Sequence, residues 1–423
     1  MKYKLFTALL AVILFTHCTS NNGTRTTEES DAEDISSYLQ PPGSELPILD
    51  FKEIWAYVIP DRESALTRGL PITDIAYFGA EVDAFGKLVN VPRRSALPSH
   101  FTGRVHLVIA CNGRALSHFV LKPGSPERRE FIADLIAATR NYDGLNIDLE
   151  YISVRNAETF ASFLRELRAG LPRDKMFTIC VPARTRKLNE DAYDYDRLTP
   201  LVDRVFVMAY DEHWSGSRPG SVASIAWCRR VADYSMRAIG PGKLVMGLPF
   251  YGRAWGDYSP SRALVHSSIE NIIRDHNITD IRYDNGIPTL TYNKNVSIRI
   301  FYEDVHSLVT RMNMYKSMGI ESIGFWRLGQ ETTDIWNHLR LSSASTAART
   351  STVTTAPAVS AAPAAAPSAP AGTFTGRYTV QRGDSLWVIS RRYGITPQAL
   401  ADANNMRLND NLHVGRVLRV PAQ

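Results

Sequence analysis

The sequence predicts a closed parallel α/β barrel of eight strands, with a small α+β insertion between the seventh and eighth strands and a separate βααβ module at the C-terminus. Three observations carry this. Eight short apolar runs alternate with longer helical segments over about 290 residues, the pattern of strands returned by crossover helices. No glycine-rich phosphate loop follows the first run, which argues against a doubly wound open sheet. The fourth run, Asn-Tyr-Asp-Gly-Leu-Asn-Ile-Asp-Leu-Glu-Tyr at 141–151, divides by parity when read as a strand: Leu145, Ile147 and Leu149 on one face, Asn146, Asp148 and Glu150 on the other. On a strand covered by helices such a polar row is costly unless it lines a cavity. An edge strand with a solvated polar face is the alternative.

Taken in order, the chain begins with Lys2 and Lys4 ahead of an apolar run from Leu5 to Phe15, then Cys18 and polar residues to Asp34. About 11 apolar residues are too few to span a bilayer, so the segment reads as an export signal rather than an anchor. Residues 1–18 are assigned to this signal and 19–45 to a tether.

The barrel occupies residues 46–340. Its expected strands are 55–59, 74–79, 104–111, 144–150, 176–182, 204–210, 243–249 and 321–326. Ser125 and Pro126 open a helix ahead of the fourth strand, as N-cap and first helical residue. Phe160, Phe163, Leu164 and Leu167 form the apolar stripe of the helix after it, closed by Gly170. In such barrels chemistry sits at the C-terminal ends of the strands, which here carry Asp148, Glu150, Tyr210, Asp211 and Trp326.

Residues 251–302 are the expected insertion, with Asn285-Gly286 as a hairpin turn signal. A helix follows from Glu303 to Met318, stopped by Gly319. Residues 341–376 are almost wholly Ala, Pro, Ser and Thr, a composition that buries no core; as a Pro-rich extended linker its reach approaches about 100 Å. The module at 377–421 shows two short strands flanking two helices, 386–393 and 397–404.

Composition excludes some classes. A formal charge of +5 suits mild attraction to acidic polymers and is too small to argue for nucleic acid; Arg184/Arg186/Lys187 and Arg229/Arg230 read as solvated faces. Setting Cys18 aside, Cys111, Cys180 and Cys228 remain, an odd number that excludes a full disulfide framework and matches no zinc site, so buried thiols are expected. Asp148 and Glu150 have no His or third carboxylate spaced to help hold a metal, so neither metal nor cofactor is expected. Tyr57, Tyr77 and Phe78 admit two readings, site lining or core packing, as do Trp214 and Trp255, platform or core.

Several motifs together resemble glycoside hydrolase family 18 over about residues 50 to 340. Asp143-Gly-Leu-Asn-Ile-Asp-Leu-Glu150 is similar to that family's Asp-Gly-x-Asp-x-Asp-x-Glu signature. Met208-Ala-Tyr-Asp211, Gly247-Leu-Pro-Phe-Tyr-Gly252 and Trp326 follow in order at the expected strand ends. The tail resembles a LysM domain through Tyr378-Thr-Val-Gln-Arg-Gly-Asp-Ser-Leu-Trp, Tyr393-Gly-Ile-Thr, Asn404 and Leu412–Pro421. The N-terminus resembles a bacterial lipoprotein signal, with Cys18 as the lipidated residue, although Phe15-Thr16-His17 lacks the usual small residue before the Cys.

The resemblance implies roles. Glu150 would be the general acid and later the base; the substrate's own 2-acetamido carbonyl would be the nucleophile; Asp148 would accept the acetamido N–H; Tyr210, with Asp211 beside it, would hold the acetamido carbonyl; Trp326 would floor the site. Tyr57, Met208, Asp143 and Trp214 join the substrate-binding set. In the LysM domain Gly383, Asp384, Ser385, Leu386 and Met406 match the glycan groove. Two departures stand out: Asn146 replaces the signature's middle Asp, and Ala110-Cys-Asn-Gly113 replaces Ser-x-Gly-Gly. Both are nearer the branch of spore-cortex-lytic N-acetylglucosaminidases. Asn146 is expected to donate to Asp148 and, by removing a like charge, to leave Asp148 more readily ionised. The resulting expectation is an exported, envelope-bound, monomeric hydrolase of peptidoglycan, with chitin hydrolysis or silent glycan binding as alternatives.

Overall fold

The computed structural model describes residues 35–111, 113–256, 259–293, 297–343, 374–380, 389–390, 393, 395, 397–406 and 415–421. The expected export segment with Cys18, the expected tether to residue 34, nearly all of the expected linker, residues 383–386 (Gly383, Asp384, Ser385 and Leu386) and most of the helix expected at 386–393 lie outside them. The described residues fall into two compact units, one within 35–343 and one within 374–421.

In the larger unit the barrel strands are β2 (Glu53–Val58), β3 (Asp74–Val82), β5 (Arg104–Cys111), β6 (Gly144–Leu149), β7 (Met176–Pro182), β8 (Arg204–Met208), β9 (Leu244–Pro249) and β15 (Ser322–Trp326). They pair in the order β2-β15-β9-β8-β7-β6-β5-β3, and β3 pairs back with β2, all in parallel, so the sheet closes. Closure leaves no edge. A short hairpin strand, β4 (Leu88–Val89), extends β3 beyond the rim. Before the barrel, β1 (Leu49–Phe51) pairs with β16 (Leu339–Leu341). The tether is shorter than expected: Ile35 is buried in the core and Gln40 accepts from His306, so packing starts before residue 46.

Local chemistry explains the elements around β6. Ser125 accepts from the Arg128 N–H and Pro126 opens the helix Pro126–Thr139. The helix Ala157–Gly170 buries Phe160, Phe163, Leu164 and Leu167. Arg128, itself buried, links the two through hydrogen bonds to Glu166 and Ser162.

The barrel's interior is finished differently at its two ends. At the N-terminal end the first residues of four strands meet: Glu53 accepts from Arg104 and Arg204, and Asp74 from Arg104 and His106. His106 stacks on Trp55 with centroids 4.5 Å apart. Burial alone would raise the Asp74 carboxyl, but the His106 and Arg104 hydrogen bonds hold it down at about 2. Above this plug sits Phe206. Gly247 and Gly324 are paired neighbours on β9 and β15, and a Cβ on Gly247 would lie 2.8 Å from the Phe206 ring and 2.7 Å from the Val207 carbonyl. The two glycines make room for that ring.

The insertion is a five-stranded antiparallel sheet ordered β11 (Ser259–Val265), β10 (Tyr251–Gly256), β14 (Ser297–Phe301), β13 (Ile287–Asn293), β12 (Arg282–Asp284), with the helix His266–Asp275. Asn285 and Gly286 make the β12–β13 turn with φ of 49° and 85°, the positive pair that a tight hairpin requires. The helix Val305–Ser317 starts at Asp304 with a capping box to Ser307, and Gly319 follows it at φ 82°. Its Arg311 is fully buried against Glu303.

In the C-terminal unit β17 (Gly376–Thr379) and β18 (Val417–Val420) pair antiparallel, and Asn404, just past the helix Pro397–Ala403, brackets Arg419 through both its backbone groups. Met406, assigned to the glycan groove, is instead buried in this unit's core with Ile389, Leu400 and Leu418.

Candidate active site

At the C-terminal end of the barrel, β6 delivers its polar row into the interior. Asn146 and Asp148 are buried, and Glu150, one residue past the strand, is half-buried. The aromatic residues around them come from neighbouring strands. Trp326 at the end of β15 packs against Tyr57 at 5.2 Å and edge-on to Phe78 at 5.1 Å. Met208 and Tyr210 of the β8 end complete this cluster. Tyr57 and Phe78 therefore belong to the site's lining. Tyr77 does not: one residue out of phase, it faces the outer layer and donates to Glu63.

Asn146 is tied down on three sides. It accepts from the Tyr57 hydroxyl and from the Cys180 thiol, each at 3.2 Å, and its amide donates to Thr178 at 2.7 Å. This corrects the expected bond to Asp148: the amide reaches across to β7, whose Thr178 is its register partner. Asp148 keeps one carboxyl oxygen, Oδ1, buried with no partner among the described residues. Its ionisation also runs against expectation. Burial, with the Glu150 charge second, pushes the Asp148 carboxyl up to about 8, and the Cys180 thiol beside it only partly offsets this. Removing one like charge at Asn146 matters less than removing water. Glu150 is raised too, by burial and then by the charge of Asp211. At neutral pH Asp148 therefore keeps its proton, and the upward shift of Glu150 favours the protonated form that acid catalysis needs.

Asp211 sits above, accepting from the Tyr251 hydroxyl at 2.7 Å and from Arg253 at 3.0 Å. Tyr251 in turn packs edge-on to Tyr210 at 6.4 Å. Burial pushes the Tyr57 and Tyr210 phenols far up, so both remain hydrogen-bond donors. Two non-glycine residues next to the chemistry are left-handed, Tyr151 at φ 60° after Glu150 and Asp211 at φ 58° after Tyr210. Such backbone is uncommon outside glycine and collects at functional sites.

Other assignments separate by position. Trp214 lies on the loop after β8, 55% exposed, where it suits a platform. Trp255 is buried against Phe301 in the insertion and is not one. Asp143 is at the wrong end of β6: it accepts from the Val105 N–H and pairs with Arg94 at the strand's N-terminal side. Five residues from Asp148 at ~3.3 Å each puts it ~16 Å from the reacting centre, so it shapes the strand entry and does not touch substrate. Cys111, Cys180 and Cys228 are buried and in no disulfide, as expected, and no metal-binding cluster occurs among the described residues. Sequence reading missed Cys180, Tyr251 and Arg253 as neighbours of the site; the Tyr-Gly-Arg run at the start of β10 was the available signal for two of them.

The family described as "Glycosyl hydrolases family 18" matches residues 98–331, and the LysM domain matches residues 378–421. Over 211 residues the chain is 32% identical to the provisionally named sporulation-specific glycosylase YdhD of Bacillus subtilis, covering 47% of this chain and 49% of that one. The chain thus spans about half the length of that relative. It is 23% identical over 326 residues to the cortical fragment-lytic enzyme of Bacillus anthracis, covering 71% and 75% of the two chains. The fold is shared with the Bacillus cereus spore cortex-lytic enzyme SleL at a TM-score of 0.62 and 24% identity, covering 71% of this chain and 76% of that one.

Proposed function

Since the chain belongs to glycosyl hydrolase family 18, we propose that it cleaves β-1,4 bonds after N-acetylglucosamine in peptidoglycan, by a retaining mechanism in which the substrate assists. One observation carries the reading: Asp148 near the end of β6 and Glu150 one residue past it form a pair of interacting carboxyls, Asp148 acts on the Tyr57 and Tyr210 phenols, and Trp326 packs on Tyr57. Glu150 then protonates the glycosidic oxygen. The substrate's 2-acetamido carbonyl attacks the anomeric carbon, closing an oxazolinium ring as the leaving sugar departs with that proton. Asp148, through its unpartnered oxygen, accepts the acetamido N–H and holds the group in place as the ring closes. The Tyr210 hydroxyl holds the acetamido carbonyl in line, and Trp326 supports the sugar face. Water, deprotonated by Glu150, opens the ring with net retention.

The LysM domain and the names of the relatives favour peptidoglycan over chitin. Export, with Cys18 as a lipid attachment point in the cell envelope, is part of the same proposal, as is action as a monomer. The test is product analysis. Purified peptidoglycan and chitin oligosaccharides are incubated with the chain lacking its export segment, and fragments are read by mass spectrometry after borohydride reduction. Muropeptides ending in reduced N-acetylglucosamine support the reading. Products from chitin alone move the substrate and keep the chemistry. Retention on peptidoglycan with no products from either points to a glycan-binding protein.

A further inference from the structure

Glu150 is held in place from outside its own strand. Its carboxyl is hydrogen-bonded by no side chain among the described residues, and its backbone N–H reaches the Cys111 carbonyl at a long 3.2 Å. Directly after it Tyr151 takes the left-handed conformation, which a non-glycine residue adopts only where surroundings enforce it. The group that spans this turn is Tyr193, from the loop after β7. Its hydroxyl donates to the Leu149 carbonyl at 2.7 Å and accepts from the Ile152 N–H at 3.0 Å. One phenol therefore bridges the residue before Glu150 and the second residue after it.

The bridge is anchored in turn. The Tyr193 N–H donates to Asp191, and Asp191 takes a two-pronged bond from Arg184 at 2.6 and 3.1 Å. The Tyr193 ring packs edge-on to Phe160 of the helix Ala157–Gly170 at 5.9 Å. The phenol is buried, and the charges of Glu150 and Asp148 act on it.

Resting on the hydrolase reading above, we propose that Tyr193 is a positioning residue for the general acid: its two-way hydrogen bond fixes the turn that aims the Glu150 carboxyl at the glycosidic oxygen. A residue that only stabilised the fold would affect every substrate alike. A residue that aims the acid matters most where the leaving group needs a proton, and little where the leaving group departs as a stable anion.

Tyr193→Phe keeps the ring and removes both hydrogen bonds. Its kcat is compared on two substrates: dinitrophenyl chitobioside, whose leaving group needs no proton, and whichever of peptidoglycan or chitotetraose the unaltered chain turns over. Tyr193→Phe should lower kcat on the unactivated glycan by about tenfold to a hundredfold, the range a misplaced catalytic group costs, with KM little changed and the aryl glycoside nearly spared. Phe160→Leu, which loosens the ring's packing and leaves the hydroxyl, should lower the thermal midpoint without changing the ratio of the two rates. Equal losses on both substrates in Tyr193→Phe, or none, overturn the proposal while leaving the hydrolase reading intact. An unaltered chain inert toward all of these glycosides overturns the hydrolase reading and the proposal with it.

Discussion

Asp148→Asn separates what the site costs the fold from what it does. Burial with the adjacent Glu150 charge raises the Asp148 carboxyl from 3.8 to about 8. In the unfolded chain the same group ionises near ~3.9. Between those two values the folded protein keeps a proton that the unfolded chain has released, so stability falls as pH rises through the window. At ~1.4 kcal/mol per pH unit, the roughly three units between the unfolded pKa and pH 7 amount to on the order of 4 kcal/mol. Asparagine has the same shape and carries no charge. The variant should match the parent near pH ~4, gain stability up to about pH 8 and gain nothing beyond. Guanidinium unfolding of both proteins from about pH 4 to about pH 9, followed by tryptophan fluorescence, measures the difference. The same variant should lose glycan cleavage. A stability difference that does not change with pH, or one that favours the parent at neutral pH, would refute the account of Asp148 as a buried group strained toward its neutral form.

Three further outcomes are expected. Glu150→Gln should cut turnover by ~10²–10⁴-fold, the usual contribution of a general acid, with retained pelleting on peptidoglycan as the control for binding. Asp211→Asn removes a negative charge that helps keep Glu150 protonated, so Glu150 should ionise at lower pH and the basic limb of the kcat/KM profile should move down; an unmoved limb counts against that coupling. Glu303→Gln leaves Arg311 buried without its counter-charge and should cost ~3–5 kcal/mol of unfolding free energy, read by denaturant titration, with kcat on folded protein unchanged.

The barrel was legible because its strands are covered on both sides and read as mostly apolar runs, which is why 104–111 and 176–182 fall where the sequence put them. The polar row was legible from parity along one strand and its exit: Asn146 and Asp148 are buried inside the barrel, and the Glu150 charge acts on Asp148. Parity also separates Tyr77 from Phe78, but only once the direction of one residue is known, and nothing local supplies it. The assignment of Asp143 failed because a motif is contiguous in sequence while the strand carries its first residue to the opposite end of the barrel. Hydrogen bonding across strands was out of reach. The Asn146 amide had Asp148 two residues away and chose Thr178, 32 residues on. Tyr193 reaches Leu149 across 44 residues, through a loop with no periodic pattern. Burial of Asp148, which decides its proton, follows from closure of the whole sheet rather than from any neighbour in the chain.

The most direct test of the account is the anomer formed at the cleaved bond. Proton NMR of the first product released from a chitin oligosaccharide or a muropeptide chain, recorded before mutarotation, distinguishes the routes. The arrangement of Glu150 as acid, Asp148 on the acetamido N–H and no protein nucleophile predicts the β anomer first, by retention through the oxazolinium ring. The α anomer appearing first would mean direct attack by water on the opposite face and would contradict the roles assigned to both carboxylates.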